Sequence, residues 1–229
     1  IKVDLFYFFN GWKMKKIKIF LFIILLILII ILTYYRFYNN KQNLLVLGNN
    51  LTKEDIKYYD YVKLYLENNN LLKSYDNSYV KNNYLTKDLT KDIYNNNKVY
   101  INNKEHNIKT LLAKANIVLI GLNNNELKND YESCNLLLKN IEELLNQVNI
   151  YKKDKVYVLG FYDDSYNKYV TYVNNKLKQL TIDYKMTYID INSIVNNSDS
   201  LDANNNLSLN LNNKVGSKII KKLEKDLSK

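Results

Sequence analysis

The chain has 229 residues and a mass of 27.2 kDa, which suits one domain of ordinary size, and 47% of its residues are apolar, enough for a hydrophobic core. Its single cysteine excludes a disulfide framework and a cysteine-rich zinc site, and its single histidine excludes any site that requires two. Proline is absent and glycine occurs five times, which leaves almost no room for glycine-rich phosphate loops.

The net charge of +10 is concentrated at the amino terminus. Residues 1–41 contain seven basic side chains and one acidic side chain, a net charge of +6, so the rest of the chain carries only +4. That remainder also lacks a block of basic residues interleaved with aromatic ones, the pattern that is typical of a surface that follows nucleic-acid phosphates. We therefore expect no nucleic-acid partner.

The first predicted element is a membrane-spanning helix over residues 19–35, an uncharged run that reads IFLFIILLILIIILTYY. At about 1.5 Å per residue this helix would be roughly 26 Å long, at the low end of what crosses a bilayer. Aromatic residues at its end (Tyr34, Tyr35, Phe37 and Tyr38) are typical of a membrane interface. No small residues follow that would form a signal-peptide cleavage site, so we expect an uncleaved anchor.

Charges on the two sides of this anchor predict its orientation. Four lysines lie between Lys13 and Lys18, before the span, against Arg36 and Lys41 after it. Membrane proteins keep an excess of positive charge on the cytoplasmic side of a span. Residues 1–18 are therefore predicted to lie in the cytoplasm.

The remaining boundaries follow from the anchor. Residues 36–42 form a linker, and the domain of residues 43–229 lies on the extracytoplasmic side of the cell membrane. Met14, followed by lysines, reads as a natural start for such an anchor, which makes residues 1–13 a candidate upstream extension of the gene. The presence of only one cysteine agrees with an exported domain, because such a domain gains little from a free thiol.

From residue 43 onward, short apolar runs alternate with segments of helical periodicity. Strands are predicted over residues 43–48, 74–80, 115–121, 155–160 and 184–191. Helices are predicted over residues 55–67, 87–94, 108–115, 127–148, 166–177 and 215–227. This order predicts an α/β domain with a parallel sheet and helices on both faces, whose functional site lies at the carboxyl ends of the strands.

Four polar blocks accompany these elements. Residues 47–52 (LGNNLT) follow the first strand, residues 81–89 (KNNYLTKDL) the second, and residues 120–124 (IGLNN) the third. The fourth block, residues 204–210 (NNNLSLN), precedes the last helix. In this order and at these spacings the blocks resemble those of the SGNH/GDSL hydrolase family, and the resemblance covers residues 43–226.

The resemblance implies a flavodoxin-like, three-layer α/β/α domain with a parallel sheet that hydrolyses esters, often of acylated lipids or cell-surface sugars. It implies a serine nucleophile at the position of Asn50 and an aspartate at the position of Asn49. It also implies an oxyanion hole at the positions of Asn50, Asn83 and Asn123, of which only Asn123 keeps the residue type of the family.

The last block of the family carries an aspartate and, three residues later, a histidine. The neighbouring residues map the aspartate to Asn205 and the histidine to Ser208, whereas counting back from Gly216 puts the histidine near Leu211. A serine hydroxyl is nucleophilic at neutral pH only when a nearby base takes its proton, and an asparagine amide has no such proton to lose. The nucleophile and the base of the family are therefore both missing from this sequence.

Other side chains do not obviously replace them. His106 precedes the helix of residues 108–115, remote in sequence from the strand ends, so we expect a surface or helix-capping histidine. Cys134 lies on the apolar stripe of its helix, which predicts a buried core thiol. Asp163 and Asp164 follow the fourth strand and could bind a cation, although such a pair more often caps the next helix. We expect no metal and no cofactor.

The sequence thus predicts a membrane-anchored SGNH-like domain that does not hydrolyse esters by the family mechanism and acts as a binding or scaffolding module, for an envelope glycan or an acylated ligand. Its many asparagines suit neutral polyhydroxylated ligands, because amides both donate and accept hydrogen bonds. Two alternatives remain open: an active esterase or acylhydrolase with a rearranged site, and a structural anchor protein. The rearranged site requires a serine or cysteine within hydrogen-bond reach of His106, or of a carboxylate, at the strand ends.

Overall fold

The computed structural model describes residues 19–33, 41–101, 103–151, 155–163, 167–195, 201 and 206–228. The predictions made for residues 1–18, for Tyr34 and Tyr35 of the anchor, for Asp164 and for Asn205 lie outside the described residues. The chain divides into two compact units, Ile1–Lys41 and Gln42–Lys229.

The first unit contains one described helix, α1, over residues 19–33. Its apolar side chains are all exposed, with exposed fractions that run from 38% at Ile24 to 64% at Leu32. Across the described part of the chain, no helix combines the length and the apolar character needed to cross a membrane.

The second unit alternates strands and helices. Its strands are β1 (Gln42–Asn49), β2 (Leu72–Lys81), β3 (Lys98–Ile101), β4 (Lys104–Asn107), β5 (Ile117–Gly121), β6 (Val156–Leu159) and β7 (Thr187–Ile189). Its helices are α2 (Tyr58–Asn68), α3 (Thr86–Asn95), α4 (Ile108–Lys114), α5 (Tyr131–Tyr151), α6 (Lys168–Asp183), α7 (Asn192–Val195) and α8 (Leu209–Leu227). A short 3-10 helix, Asn124–Glu126, precedes α5.

The central sheet has five parallel strands in the order β2-β1-β5-β6-β7, and these are the five strands predicted from the sequence. The direction of travel along the sheet reverses between β1 and β5. In open α/β sheets ligands bind at this switch point, outside the carboxyl ends of the strands. The other two strands, β3 and β4, form a separate antiparallel hairpin.

Two hydrophobic cores lie on opposite faces of the sheet. Because successive side chains of a strand point to opposite faces, Leu45 and Leu47 enter one core, whereas Leu44 and Val46 enter the other. Helices α3, α4, α5 and α6 cover the first core, and helices α2, α7 and α8 cover the second. The predicted three-layer α/β/α architecture is thereby confirmed.

The predicted strand over residues 184–191 is shorter than expected, because β7 has three residues. Tyr184 instead ends α6 as its C-cap residue. Lys185 then adopts a left-handed backbone with a φ of 57°, which breaks the helix and turns the chain toward β7. The first residues of the predicted strand therefore belong to the end of α6, and the strand begins only at Thr187.

The helix predicted over residues 55–67 starts three residues later, at Tyr58. Its start is fixed by Asp60, whose carboxylate accepts a hydrogen bond from the Lys57 N–H at 2.9 Å. This is the reciprocal contact of a capping box, which satisfies a backbone donor at the helix end. The residues before Lys57 form the loop that leaves the carboxyl edge of β1.

The sequence pattern did not indicate the β3–β4 hairpin or helix α7. The hairpin residues are mostly exposed and polar, so they lack the alternation by which a half-buried strand is recognised. Helix α7 has only four residues, a single turn, which is too short to show helical periodicity.

Candidate functional site

Strands β1 and β5 approach each other closely at the switch point. Gly48 is paired with Gly121 in the parallel register, and its φ of +98° lies in the left-handed region that favours glycine. A Cβ atom on Gly48 would lie 2.1 Å from the Gly121 carbonyl oxygen, so a larger residue would force the backbone apart. The sharp end of β1 presents Asn49 and Asn50 at the carboxyl edge of the sheet.

Asn49, at the family's aspartate position, holds two loops together. It is buried, its Oδ1 accepts a hydrogen bond from the Tyr84 N–H at 3.0 Å, and its Nδ2 donates to the Asn50 carbonyl at 3.1 Å. An aspartate could accept the first bond but could not donate the second. The amide therefore ties the segment after β2 to the end of β1.

Asn50, at the family's nucleophile position, uses two of its donors within the protein. Its backbone N–H donates to the Lys81 carbonyl at 2.9 Å, and its Nδ2 donates to Asn82 Oδ1 at 3.1 Å. Its Oδ1 is buried and has no hydrogen-bond partner within the described part of the chain. One acceptor is therefore left unsatisfied at this position, which is uncommon for a buried polar atom.

The two other positions implied for an oxyanion hole follow β2 and β5, the strands on either side of β1. Asn83 is exposed and has a φ of 54°, a positive value that asparagine tolerates. Asn123 is buried at 2% exposure, and its Oδ1 accepts from the Asn125 N–H at 3.1 Å. Within the described residues, the Nδ2 group of Asn123 makes no hydrogen bond.

Asn124 braces the ends of two neighbouring strands. Its Oδ1 accepts from the Tyr162 N–H at 3.0 Å and its Nδ2 donates to the Tyr162 carbonyl at 2.7 Å. The segments after β5 and β6 are thereby held in a fixed relation. We use the name "amide edge" for six asparagines at the carboxyl ends of β1, β2 and β5: Asn49, Asn50, Asn82, Asn83, Asn123 and Asn124.

The fourth sequence block also reaches this edge. The Leu207 N–H donates to the Leu51 carbonyl at 2.9 Å, and the Thr52 hydroxyl donates to the Leu207 carbonyl at 2.7 Å. Ser208 is the N-cap of α8, where its Oγ accepts from the Leu211 N–H at 3.4 Å. Leu211 is fully buried in the core beneath α8. Of the two positions considered for the histidine, only Ser208 therefore lies at the rim.

A charged cluster around Asp92 holds the end of β2, next to the amide edge. Asp92 accepts hydrogen bonds from the Tyr84 hydroxyl, from Lys81 Nζ at 3.0 Å and from Asn97 Nδ2 at 2.5 Å. Burial acts to raise the pKa of Asp92, but these hydrogen bonds outweigh it and leave that pKa below its ordinary value. The carboxylate is thus fully engaged in holding the loop and is not poised as a general base.

A second carboxylate near the amide edge has a structural role. Glu126 accepts hydrogen bonds from the N–H and the hydroxyl of Thr86, at 2.8 Å and 2.7 Å, and so caps the start of α3. Burial raises the pKa of Glu126 above its ordinary value, and the bonds from Thr86 only partly offset that effect. The sequence gives no sign of this pairing, because the two residues are forty positions apart.

His106 lies on β4 and contacts Asp76 in the middle of β2, with 2.5 Å between Nδ1 and Oδ2. Asn107, not His106, caps α4, so the helix-capping role expected for the histidine is wrong, and its side chain is half-buried. Asp76 is paired with Leu45, four residues before Asn49, so the contact lies roughly 13 Å from the carboxyl edge. The histidine therefore fastens the hairpin to the sheet away from the amide edge.

A serine does lie within reach of this pair. Ser78 donates its hydroxyl to Asp76 Oδ1 at 2.6 Å, so the carboxylate stands between the hydroxyl and His106. In a Ser-His-Asp triad the histidine contacts the serine directly, because it must take the proton. The cluster occupies the interior of β2 and not a strand end, so it does not match the rearranged site that an active esterase requires.

The remaining candidates serve the scaffold. Cys134 is fully buried, as predicted, and burial raises the pKa of its thiol, which disfavours the reactive thiolate. Asp163 accepts from Asn167 Nδ2 at 3.0 Å, and Asn167 itself caps α6, so the cap predicted for the aspartate belongs to the asparagine. Among the residues that the structure describes, no group of three or more His, Cys, Asp or Glu side chains is placed to hold a metal ion.

Comparison with known proteins finds similarity in structure only. No protein-family model matches the chain, and no curated protein does. The lipase Lip_vut3 from a goat rumen metagenome is 16% identical, with a TM-score of 0.63, over 79% of this chain and 97% of that chain. TesA is 15% identical with a TM-score of 0.62, over 81% and 99% of the two chains. The acetylxylan esterase Axe2 from Geobacillus stearothermophilus is 12% identical with a TM-score of 0.61, over 79% and 93%.

These similarities run through almost the full length of each of the three solved proteins. They show that residues from β1 to α8 have an SGNH hydrolase-like fold, in agreement with the resemblance of the four sequence blocks. The switch point and the order of the strands place those blocks at one edge of the sheet.

Proposed function

We propose that this chain is an SGNH hydrolase-like binding module that does not hydrolyse esters by the Ser-His mechanism, and that its amide edge holds a neutral, polyhydroxylated group such as an envelope glycan. The arrangement of Asn50 carries this proposal. Its side chain has no proton that a base could take, and its backbone N–H already donates to the Lys81 carbonyl. An oxyanion at this position would lack both the nucleophile that forms it and one of the donors that would stabilise it.

The choice of ligand rests on the polar atoms that the protein leaves without partners. Asn50 Oδ1 is a buried acceptor and Asn123 Nδ2 is a donor, and neither makes a hydrogen bond within the described residues. A sugar hydroxyl both donates and accepts, so adjacent hydroxyls can satisfy the two groups together. Acetylxylan esterase, a structural neighbour, is named for a glycan substrate, which supports the same class of ligand.

A hydrolysis assay tests the catalytic half of the proposal. We expect no turnover of short-chain nitrophenyl esters above the buffer rate by the wild type, Asn50→Ala or Asn50→Ser, because a restored serine would still lack a base. His106→Ala serves as the control for a rearranged site that uses the Asp76 pair. Wild-type turnover that disappears in His106→Ala would overturn the proposal and favour the active esterase.

A binding assay tests the other half. Calorimetric titration with neutral oligosaccharides, beginning with xylo-oligosaccharides, should show binding that Asn50→Ala and Asn123→Ala each weaken about tenfold. Asn213→Ala removes an exposed asparagine of α8 and should leave the affinity unchanged. Equal affinity in all four proteins would contradict an amide-edge site, and the absence of binding to any neutral glycan would favour a structural anchor protein.

We further propose that residues 19–35 anchor the domain in the cell membrane, with the amino terminus in the cytoplasm and the domain outside. The exposure of every apolar side chain of α1 supports this, because an exposed helix with no charged residue is costly in water. Membranes that contain the chain should retain it through alkaline carbonate extraction, whereas deletion of residues 19–33 should release it. Release of the intact chain would contradict the anchor.

A further inference from the structure

A cleft lies at the opposite edge of the sheet from β2, alongside β7. It has a volume of about 510 Å³, within the range of small-molecule sites. Residues from α6, from β7 and the residues after it, from α7 and from α8 line it: Thr171, Asn174, Asn175, Lys178, Tyr188, Asp190, Asn192, Ser193, Lys218 and Lys222. We call this the β7 cleft.

The β7 cleft is positively charged. It contains three lysines and one aspartate, a net charge of +2. Within the described residues none of Lys178, Lys218 and Lys222 forms an ion pair with a carboxylate. The one aspartate, Asp190, has an oxygen engaged at 3.1 Å by the Ser193 N–H, at the start of α7. The positive charge of the cleft is therefore not neutralised from within.

Lys218 is held in position at the floor of the β7 cleft. Its Nζ donates to the Asp190 carbonyl and to the Ser193 hydroxyl, both at 2.7 Å. An ammonium group has three donors, so one N–H remains available while two neutral acceptors fix its direction. A lysine that served only to solubilise the surface would not need two short bonds, one to the backbone after β7 and one to the first turn of α7.

Two neutral donors accompany the lysines. Tyr188 packs over Gly160, where an added Cβ would lie 2.4 Å from the Tyr188 hydroxyl oxygen, and that hydroxyl has no hydrogen-bond partner among the described residues. Burial, and then the charge of Asp190, raise the pKa of Tyr188, so the hydroxyl keeps its proton and acts as a donor. Asn192 Oδ1 accepts from the Asp163 N–H at 3.0 Å, which leaves its NH₂ group for the cleft.

An alternative explanation for the lysines is that they protect the edge strand β7, because charged residues commonly prevent an exposed edge strand from pairing with another chain. That reading accounts for Lys178 and Lys222, which lie at the rim on helices from the two opposite layers. It does not account for the fixed Lys218, for the unpaired Tyr188 hydroxyl, or for an excess of donors over acceptors. A ligand rich in acceptors and negative charge accounts for all of them.

We propose that the β7 cleft binds the phosphate group of a small polar ligand, with Lys218 and Tyr188 contacting the oxyanion and Lys178 and Lys222 flanking it. A tetrahedral oxyanion presents several acceptors to donors that converge from different elements, as they do here. This site is separate from the amide edge and does not depend on the function proposed for it.

The test is a phosphorus NMR titration of the full chain in a nonionic detergent, with sodium chloride at matched ionic strength as the reference. We use three probes: inorganic phosphate, glucose 1-phosphate, and glycerophosphoglycerol, which is a soluble lipid headgroup. The phosphorus signal of a bound probe should broaden and the effect should saturate. The double variant Lys178→Gln/Lys222→Gln should bind that probe at least about tenfold more weakly than the wild type. Lys221→Gln, an exposed lysine of α8 outside the cleft, should bind as the wild type does.

The three probes separate the sources of the phosphate. Tighter binding of glucose 1-phosphate indicates a soluble phosphorylated sugar, and tighter binding of glycerophosphoglycerol indicates a headgroup. Tyr188→Phe removes one neutral donor without a change of charge, and a several-fold loss there distinguishes a shaped site from general attraction. The proposal is overturned if no probe shows saturable broadening, or if Lys221→Gln weakens binding as much as the double variant does.

Discussion

At the scale of single residues, asparagine side chains replace missing backbone partners in this domain. Asn174 accepts from the Phe161 N–H at 2.9 Å and donates to the Phe161 carbonyl at 2.8 Å, and Asn124 does the same for Tyr162. A carboxamide carries one acceptor and one donor group, as a peptide unit does. It can therefore satisfy a loop backbone where the sheet ladder ends.

Asp92 gives a prediction at the same scale. Its folded-state pKa lies below the ordinary value of 3.8, so the stability that its carboxylate contributes is present above that value and is lost as the pH falls through the folded-state pKa. Asp92→Asn should lower the free energy of unfolding by about 1–3 kcal/mol at neutral pH, because the Tyr84 and Lys81 donors lose a charged acceptor.

Urea unfolding of wild type and Asp92→Asn, at neutral pH and in acid, measures this difference. The gap between the two proteins should narrow in acid, where the wild-type carboxylate takes up a proton. Asp183→Asn, an exposed aspartate at the end of α6, is the matched control and should change stability by less than about 0.5 kcal/mol. A gap that stays constant with pH would show that the charge of Asp92 does not contribute.

Sequence reasoning at this scale succeeded where one residue type has one physical reason to be present. The apolar stripe of α5 predicted a buried thiol at Cys134, and that burial is confirmed. Pairings between distant residues were out of reach. The contact of His106 with Asp76 joins residues thirty positions apart and needs the register of two strands to be known first.

At the scale of elements, the carboxyl end of β6 depends on α6. Asn174 is a buried residue of α6 whose carboxamide satisfies both backbone groups of Phe161. Asn174→Asp keeps the acceptor but places a charge in the core and turns a donor into a second acceptor toward the Phe161 carbonyl. We expect Asn174→Asp to lower the free energy of unfolding by about 3 kcal/mol or more at neutral pH, and Asn174→Ala to lower it by about 2 kcal/mol.

Acid reverses part of this loss, since a protonated aspartic acid can again donate to the carbonyl. Thermal unfolding of both variants across a pH series should therefore show Asn174→Asp recovering relative to Asn174→Ala as the pH falls. Asn175→Asp, at the next and exposed position of α6, controls for the added charge and should stay close to the wild type. An Asn174→Asp protein as stable as the wild type at neutral pH would contradict the double hydrogen bond.

Element prediction succeeded for segments that contribute to a core and failed for those that do not. Strands β1, β5 and β6 are almost wholly buried, β2 and β7 are partly buried, and all five were predicted. The β3–β4 hairpin has mostly exposed residues, so burial leaves no pattern in its sequence. The strand at residues 184–191 was predicted too long, because Tyr184 and Lys185 end α6.

At the scale of the whole molecule, the second unit contains everything that holds it together. Both cores consist of residues from Leu44 onward, and no residue of the first unit belongs to either of them among the residues described. A chain that begins at Gln42 should therefore fold, with an unfolding midpoint within about 2 °C of the full chain. Circular dichroism during heating measures both midpoints.

A chain that begins at Leu51 is the control for that truncation. It lacks β1, which pairs with both β2 and β5, so it should show no cooperative transition. If the chain from Gln42 also fails to unfold cooperatively, then residues of the first unit contribute to the fold in a way that the cores do not reveal.

The fold class was predictable because alternating strands and helices admit few layer arrangements. The charge of the β7 cleft was not, since its lysines come from helices that are far apart in sequence.

The buried thiol of Cys134 has a practical consequence. It is the only cysteine in the chain, it is fully buried, and its Sγ lies 3.4 Å from the Lys128 carbonyl. A thiol reagent can reach it only when the first turns of α5 separate from the sheet, so the labelling rate in native buffer counts those openings. The labelling rate of the unmodified protein therefore reports local unfolding of α5. A ligand that stabilises the segment between β5 and α5 would lower that rate.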